Sequence, residues 1–391
     1  MKTTIAEAKN KAAARKIPYV DIAKQHAPLK KRLLEAIGRV IDHGQFILGD
    51  EVKEFEKRFA ELCGVRFAVA VNSGTDALIF ALRVLNIGPG DEVITAPNSF
   101  VSTASCIALL GARPVFADVG EDYNLNASLL EKAVTPKTKA IIPVHLTGRP
   151  ANMDAILKIA IDRGIAVIED SAQAILAEYK GKKVGSFGNL GCFSLHPLKT
   201  LNACGDGGVI TTGDEGFYQR LCQLRNLGLE TRDECAVWSN NSRLDSIQAA
   251  SLLVKMDHLE EWTAKRREHA AYYQKALSGI SQVKVPVDFP HEKSVYHTFV
   301  ILAENRDGLK KHLEENGIGT AIHYPIPIHL QAVSKSLGHS EGSFPVAEEQ
   351  AKKALSLPVY PDLKKEDLEY IVKKIGEFYP PAQKTFGLAS G

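Results

Sequence analysis

The sequence predicts an α/β protein in which a large domain holds a mainly parallel seven-stranded sheet between helices, followed by a smaller C-terminal α+β domain. Seven short runs rich in Val and Ile recur in the first part of the chain, and helix-like segments separate most of the early ones. The runs do not alternate apolar and polar residues, which is typical of strands that helices cover on both faces. In chain order the runs are RFAVAV, DEVITA, PVFAD, KAIIPVH, IAVIED, GCFSL and GGVITT.

The segments between and after these runs predict the remaining elements. TDALIFALRVL and ASLLEKAV have the apolar spacing of crossover helices, whereas the last two runs are joined by the non-helical stretch FSLHPLKTLNACGDGG. A long helix is predicted over IQAASLLVKMDHLEEWTAKRREHAAYYQKAL, and less regular elements follow it: a strand (YHTFVIL), a helix (RDGLKKHLEENG), a proline-rich segment (HYPIPIHL) and a terminal helix (KKEDLEYIVKKIGEF). We expect an N-terminal extension over 1–16, a large domain over 17–260 and a small domain over 261–391.

Composition excludes several classes of protein. The chain has 391 residues, of which 45% are hydrophobic and 24% charged, values that are ordinary for a folded globular protein. The formal net charge is only +2, so no overall field favours nucleic acid or an anionic membrane as a partner. The six cysteines form no CxxC pair, and the basic N-terminus lacks the apolar core of a signal peptide. We therefore expect a cytoplasmic protein that binds neither nucleic acid nor membrane.

Four strand ends carry unusual residues, and in open α/β sheets ligands collect at the carboxyl ends of the strands. After RFAVAV comes Asn72-Ser73-Gly74-Thr75-Asp76 and then a helix. Free backbone N–H groups at a helix start, beside hydroxyls and a glycine, suit a phosphate. An ordinary helix N-cap accounts for the same residues equally simply.

The second and third strand ends offer an aromatic ring and a carboxylate. Phe100 follows DEVITA and is placed either to stack on a flat cofactor or to fill the core. Asp170 ends the run IAVIED, and Gln173 follows it three residues later. The carboxylate of Asp170 is suited to hold a pyridinium N–H, and equally to cap the next helix.

The fourth strand end contains Lys199, which stands between an apolar run and a cluster of glycines with no other charge before Asp206. A lysine buried at a sheet edge is costly unless its charge is lowered or used, as it is in Schiff-base catalysis, although a surface loop would also accommodate it. Ser194 adds a hydroxyl five residues earlier. Together, a phosphate cradle, an aromatic ring, a carboxylate and a lysine on successive strand ends are the parts needed to hold pyridoxal phosphate. No His or Cys spacing predicts a metal site.

The chain also resembles a known family, the DegT/StrS sugar aminotransferases, which are pyridoxal-phosphate enzymes of the aspartate aminotransferase fold (fold type I). The resemblance extends from about Ile17 to the final helix. The matching segments include GQFILGDEVKEFEKRFAELCGV, NSGTDAL, GPGDEVITAP, VIEDSAQA, FSLHPLKTLNACGDGG, NSRLDSIQAA and GIGTAIHYPIPIHLQ.

The resemblance implies roles for individual residues. Lys199 would be the catalytic lysine that forms a Schiff base with the cofactor, and Asp170 would bind the pyridine nitrogen. Three further groups of cofactor contacts follow: Gly74, Thr75 and Ser194 at the phosphate, Phe100 and Gln173 at the ring, and Asn241 at the phosphate of the neighbouring subunit. The last contact implies a homodimer with shared active sites.

The substrate is constrained by what the C-terminal segment lacks. The resemblance implies a comparison with amino-acid aminotransferases of this fold type, which typically bind the substrate α-carboxylate with an arginine of the C-terminal domain. From Asp307 to Gly391 this chain has no arginine, the natural bidentate partner of a carboxylate. The absence favours an acceptor without an α-carboxylate, and we expect Arg243 to dock the amino donor. His196 and His329 are expected to contact the sugar, whereas His323 is interpreted as structural.

We therefore predict an aminotransferase that moves the amino group of L-glutamate to a nucleotide-linked keto sugar, in amino-sugar synthesis for lipopolysaccharide or another polysaccharide. The resemblance of HYPIPIHLQ favours a 3-keto hexose. The alternatives are a 4-keto nucleotide sugar, a ketone without a nucleotide such as a keto-inositol, and a regulatory homologue that has lost turnover. A nicotinamide dehydrogenase is disfavoured because the GxGxxG spacing is absent.

Overall fold

The computed structural model describes residues 15–379. The helices that flank the sheets are α1 Ile22–His26, α2 Lys30–His43, α3 Asp50–Cys63, α4 Gly74–Val84, α5 Ser102–Leu109, α6 Ala127–Ala133, α7 Met153–Arg163, α8 Glu215–Arg225, α9 Ser246–Met256, α10 Leu259–Leu277, α11 Arg306–Glu315, α12 Pro345–Lys353 and α13 Lys365–Phe378. The strands are β1 Phe67–Val71, β2 Glu92–Thr95, β3 Arg113–Phe116, β4 Thr138–Ile142, β5 Ala166–Asp170, β6 Glu178–Tyr179, β7 Lys182–Lys183, β8 Leu190–Ser194, β9 Gly208–Thr212, β10 Val283–Lys284, β11 Glu292–Lys293, β12 Phe299–Ala303 and β13 Ala354–Leu357.

The central sheet has seven strands in the order β1-β9-β8-β5-β4-β2-β3. β9 pairs antiparallel with both of its neighbours, and the other pairs are parallel. Each of the seven apolar runs forms one of these strands, so the predicted fold class is confirmed. The antiparallel β8–β9 pair also explains why their connection needs no crossover helix.

The sheet lies at the centre of the hydrophobic core. Val69, Ile94, Ile141, Ile168 and Ile210, from five different strands, are all fully buried. Apolar clusters lie on both faces, where α3 and α9 cover one side and α4 and α5 the other. This burial on two faces is the reason that the strands could be recognised from composition alone.

The C-terminal part forms a second, smaller assembly. A three-stranded sheet in the order β10-β12-β13 packs with α10, α11 and α13 around its own apolar cluster. Ile17 joins this cluster and bridges to Ile318, and Arg15 Nη2 lies 2.5 Å from Asp367 Oδ1. The start of the described chain is therefore attached to the C-terminal assembly. The exact domain bounds stay a prediction, and residues 1–14 of the predicted extension lie outside the described residues.

The prediction of one helix from IQAA to QKAL is wrong. The structure divides it into α9 and α10, with a turn at Asp257 and His258. Asp257 receives the guanidinium groups of Arg32 and Arg58, at 2.6 and 3.0 Å. These two arginines, on α2 and α3, hold the turn in place. The apolar pattern of the segment itself could not predict contacts with such distant residues.

Between residues 15 and 379, no helix has the combination of length and apolar character that a bilayer crossing requires.

Candidate active site

The carboxyl ends of the central strands open into one cavity of about 500 Å³. Because parallel strands end at the same edge of a sheet, this edge brings together residues that are far apart in the chain. The residues predicted for the site that line the cavity are Gly74, Thr75, Phe100, Asp170, Gln173, Ser194, His196 and Lys199.

The start of α4 has the shape of a phosphate cradle. Ser73 caps the helix, because its hydroxyl accepts a hydrogen bond from the Asp76 N–H at 3.1 Å. Gly74 follows, and a Cβ added there would lie 2.7 Å from Ser194 Cβ. The N-cap interpretation is confirmed for Ser73, and glycine at position 74 allows Ser194 to approach the start of the helix closely. A phosphate contact of Gly74, Thr75 and Ser194 stays a prediction.

Lys199 lies on the loop between β8 and β9, and its backbone is held in place. Asn202 Nδ2 donates to the Lys199 carbonyl at 3.0 Å, and Asn202 Oδ1 accepts from the buried Lys255 ammonium at 2.9 Å. Burial lowers the pKa of Lys199 to about 8, while the nearby Asp170 carboxylate acts in the opposite direction. A substantial fraction of the amine is therefore neutral, and nucleophilic, near neutral pH.

Asp170 ends β5 at the floor of the cavity. Its carboxylate accepts hydrogen bonds from Thr103 Oγ1 at 2.8 Å and from the Ala172 N–H at 3.2 Å. Burial raises the pKa of this carboxyl, and these hydrogen bonds and the charge of Lys199 oppose the rise. A buried carboxylate of this kind is favoured by a cationic N–H partner, which a protonated pyridine nitrogen provides.

Glu169, the residue before Asp170, supports the same strand end from the opposite face. It is fully buried, and its carboxylate accepts from the N–H groups of Gly185, Phe187 and Gly188 at 2.7 to 2.8 Å. His145 Nε2 lies 3.0 Å from Glu169 Oε2. Glu169 thus fixes the strand end that presents Asp170.

Gln173 and Phe100 border the cavity on the side of Tyr324. Gln173 accepts from the Thr147 N–H at 2.7 Å and donates to the Tyr324 hydroxyl at 3.2 Å. The Phe100 ring lies 5.8 Å from the Tyr324 ring and is 53% exposed, so it is not core filler. A face of this ring is open for a flat ligand.

The cavity also contains residues that the sequence analysis did not select: Tyr19, Asp206, Arg266, His297, Thr298 and Tyr324. His323, interpreted as structural, lines the cavity too; burial lowers its pKa to about 4. Tyr19, Arg266, His297 and Thr298 come from segments for which the sequence analysis found no motif, whereas Asp206, His323 and Tyr324 lie within two of the matching segments. From HYPIPIHL, which is part of the second of these segments, His329 was chosen instead.

Three predicted site residues lie outside this cavity. His329 is buried, and its Nε2 lies 3.0 Å from Glu348 Oε1, so this nitrogen is already engaged by a side chain of the protein. Arg243 donates to Asn226 Oδ1 at 2.8 Å. Asn241 is exposed on the surface, where its backbone bridges to that of Asn226. The structure therefore does not support a substrate contact for His329, and neither Asn241 nor Arg243 meets Lys199 within one chain.

The residues of the cavity fit pyridoxal phosphate. Gly74, Thr75 and Ser194 would hold the phosphate, the carboxylate of Asp170 would hold the pyridine nitrogen, and the amine of Lys199 lines the same cavity. When bound, this cofactor supplies an electron sink for negative charge on a substrate carbon. Fold and site together define a pyridoxal-phosphate-dependent enzyme.

Comparison with known proteins identifies the family. Residues 28–376 match the model of the DegT/DnrJ/EryC1/StrS aminotransferase family. The chain belongs to this family and is a pyridoxal-phosphate-dependent aminotransferase. Solved relatives include forms with pyridoxal phosphate and with pyridoxamine phosphate. The predictions of family, enzyme class and cofactor are confirmed.

Individual relatives are similar over almost their whole length. The chain is 44% identical to a pleiotropic regulatory protein of Geobacillus stearothermophilus, with 93% of this chain and 98% of the relative covered. It is 43% identical to the UDP-N-acetyl-3-dehydro-alpha-D-glucosamine 3-aminotransferase of Acidithiobacillus ferrooxidans, with 92% and 97% covered. Among solved structures, DesV of Streptomyces venezuelae in complex with a ketimine intermediate has a TM-score of 0.91 at 40% identity, with 93% of this chain and 99% of DesV covered.

Proposed function

We propose that this protein transfers the amino group of L-glutamate to the 3-keto group of a nucleotide-linked hexose, in the biosynthesis of amino sugars for a polysaccharide. The observation that carries the proposal is the shared specificity of the relatives. Four relatives that are 38% to 43% identical are named as enzymes of 3-amino or 3-keto sugars linked to dTDP or UDP, whereas another at 40% is named a sensory transduction protein. An acceptor at C3 therefore agrees with the sequence-based preference.

The roles proposed for the cavity residues follow from their positions. Lys199 takes up the proton that leaves the donor α-carbon, for which a pKa of about 8 is well matched to neutral solution. Asp170 holds the proton on the pyridine nitrogen. The hydroxyls and N–H groups of Gly74, Thr75 and Ser194 bind the phosphate, and Phe100 packs on the ring face.

The sugar is proposed to enter from the open side of the cavity. His196 and Asp206 lie at this rim and are exposed. His196 is positioned to hydrogen-bond the hydroxyls or the diphosphate of an entering nucleotide sugar, and the Asp206 carboxylate to accept from its hydroxyls. His323, in the cavity wall, is kept neutral by burial and is a third hydrogen-bonding group for the sugar.

We further propose a homodimer in which Asn241 completes the partner's phosphate site. Its exposure and its absence from the cavity of its own chain agree with a contact across an interface. Trp238, three residues earlier, is 90% exposed, which is unusual for a large aromatic side chain unless a partner covers it. The cytoplasm is the proposed location, in agreement with the unpaired cysteines of the described chain.

The test of the reaction is an absorbance titration of the purified protein. L-glutamate is expected to convert the ~420 nm band of the bound cofactor to the ~330 nm band of its amino form. UDP- and dTDP-linked 3-keto and 4-keto sugars are then added separately. Return of the ~420 nm band with a 3-keto sugar supports the proposal, whereas return only with a 4-keto sugar or with a ketone lacking a nucleotide contradicts it.

The shared site is tested by mixing two impaired variants, Lys199→Ala and Asn241→Ala. If Asn241 serves the partner, a hybrid dimer contains one site with both native residues. After subunit exchange, up to about a quarter of the native activity is expected, since half of the dimers are hybrids with one intact site each. If Asn241 serves its own chain, mixing restores nothing.

A further inference from the structure

A buried arginine in the wall of the cavity has no acidic partner among residues 15–379. Arg266 lies on α10, lines the cavity together with Lys199, and is 5% exposed. Its Nη1 donates weakly to the carbonyls of Tyr296 and His297, at 3.4 and 3.3 Å. Its Nε is buried and makes no hydrogen bond to any residue between 15 and 379.

The polar atoms beside Arg266 are also without partners. His297 Nδ1 and Thr298 Oγ1 are buried and make no hydrogen bond within the described chain. Both residues line the same cavity. Buried polar groups in native proteins are normally paired, so three unpaired polar atoms on residues that line one cavity indicate a polar ligand. Arg266 can only donate, the Thr298 hydroxyl can donate or accept, and His297 Nδ1 does either according to its tautomer.

The charges around Arg266 favour an anion. Burial lowers the pKa of Arg266 to about 10, which still leaves the guanidinium charged at neutral pH. The nearby Tyr19 hydroxyl has a pKa raised by burial and stays neutral. In residues 15–379 no carboxylate forms an ion pair with Arg266, whose one charge partner is the Tyr19 hydroxyl, and Asp170 is engaged by Thr103 and Ala172. An unpaired buried cation is costly, and a bound carboxylate would remove that cost.

We propose that Arg266 binds the α-carboxylate of the amino donor. The inference rests on the proposed function, because it assumes an amino-acid donor. In an α-amino acid the carboxylate and the amine share one carbon, so the carboxylate receptor must line the cavity that contains Lys199. Arg266 meets this requirement and Arg243 does not. The cofactor phosphate already has its own cradle at Gly74, and the planar fork of arginine matches a carboxylate.

This assignment also explains the missing arginine of the C-terminal segment. An arginine that binds the α-carboxylate was expected between Asp307 and Gly391, where the chain has no arginine. The structure supplies one from α10, earlier in the chain, on the wall that His297 and Thr298 share.

The test measures the binding of glutarate, a dicarboxylate that has no amine and cannot react, to the holoenzyme by calorimetry. Arg266→Gln is expected to weaken glutarate binding by about 30-fold or more, which corresponds to ~2 kcal/mol. The matched control is Arg267→Gln, on the same helix, where the native side chain donates to the Ser294 carbonyl at 2.7 Å and does not line the cavity. The control is expected to bind glutarate within about threefold of the native protein.

A kinetic measurement separates donor binding from a general structural effect. In Arg266→Gln, the KM for L-glutamate in the first half-reaction is expected to rise by about 30-fold or more, whereas the KM for the keto sugar with the pyridoxamine form changes by less than about threefold. If the glutamine variant does not fold, Arg266→Lys replaces it; lysine keeps the charge but not the fork, and a loss of about tenfold or more for the donor alone is expected.

Two results would overturn the proposal: unchanged glutarate and glutamate binding in the Arg266 variants, or a loss confined to the keto sugar. An error in the proposed sugar acceptor would not affect these results, because the donor half-reaction and glutarate binding need no sugar. A native holoenzyme that binds neither glutarate nor glutamate would also contradict the assignment.

Discussion

The pKa of Lys199 leads to a quantitative prediction about cofactor loading. Only the neutral amine attacks the cofactor aldehyde, so the loading rate of the cofactor-free protein should follow the neutral fraction of Lys199. With a pKa of about 8, roughly a quarter of the amine is neutral at about pH 7.5, against about one part in a thousand for an ordinary lysine near 10.5. The neutral fraction of Lys199 is therefore greater by a factor on the order of 200.

The assay is stopped-flow absorbance at ~420 nm after mixing the cofactor-free protein with pyridoxal phosphate over a range of pH. The rate should rise about tenfold per pH unit below about pH 8 and then level off. Parallel reactions of a blocked lysine amino acid correct for the titration of the cofactor itself. A rate that keeps rising tenfold per unit to about pH 10 would refute the argument, because Lys199 would then be an ordinary, hydrated lysine.

A second variant tests the cause of the shift. The Asp170 carboxylate favours the charged form of Lys199 and so raises its pKa, against the larger effect of burial. Asp170→Asn removes that charge, and the midpoint of the loading profile should move below about pH 8. Asp162→Asn, at an exposed ion pair with Lys158, should leave the midpoint unchanged. An upward move in the Asp170 variant would contradict the electrostatic account.

Three further predictions follow from individual contacts. Lys199→Ala should abolish turnover and retain a non-covalent pyridoxamine phosphate complex, measured by equilibrium dialysis; substantial residual activity would exclude Lys199 as the catalytic lysine. Gly74→Ala should weaken cofactor binding by about tenfold or more, because the new Cβ would lie 2.7 Å from Ser194 Cβ. The control Gly376→Ala should not change cofactor binding, since no atom lies within 4 Å of the Cβ that it adds. Glu169→Gln should lower the free energy of unfolding, measured in urea, by about 3 kcal/mol, since an amide group cannot accept from all the N–H groups that now donate to the carboxylate. The control is Glu54→Gln at an exposed position, and equal stability of the two variants would contradict this reasoning.

The comparison between sequence and structure is clearest at the two histidines of HYPIPIHL. From the sequence, His329 was expected at the sugar and His323 in a structural role. The structure places His323 in the cavity wall and buries His329 against Glu348. Both histidines have the same chemistry and lie in one short segment, so only the direction of each side chain separates them, and that direction depends on distant packing partners.

The two arginines considered for the amino donor also could not be told apart from the sequence. Arg243 was selected because it adjoins a recognisable motif, and Arg266 was overlooked because helix α10 carries no motif. In three dimensions Arg266 lines the cavity, while Arg243 is held by Asn226 outside it. Proximity in sequence to a motif is a weak guide to a substrate contact when the cavity is lined by distant segments of the chain.

The sequence by itself determined the central sheet and the residues that gather at its carboxyl edge. The strands are recognisable because burial on both faces requires continuous apolar runs, and Gly74, Asp170 and Lys199 are recognisable because they follow those strands at one edge of the sheet. Only the tertiary structure decided the break between α9 and α10 at Asp257 and the wall formed by Tyr19, Arg266, His297 and His323. The physical reason is that periodicity and strand ends are local properties, whereas burial, unpaired hydrogen-bond donors and the absence of a counter-charge arise only when distant segments pack together.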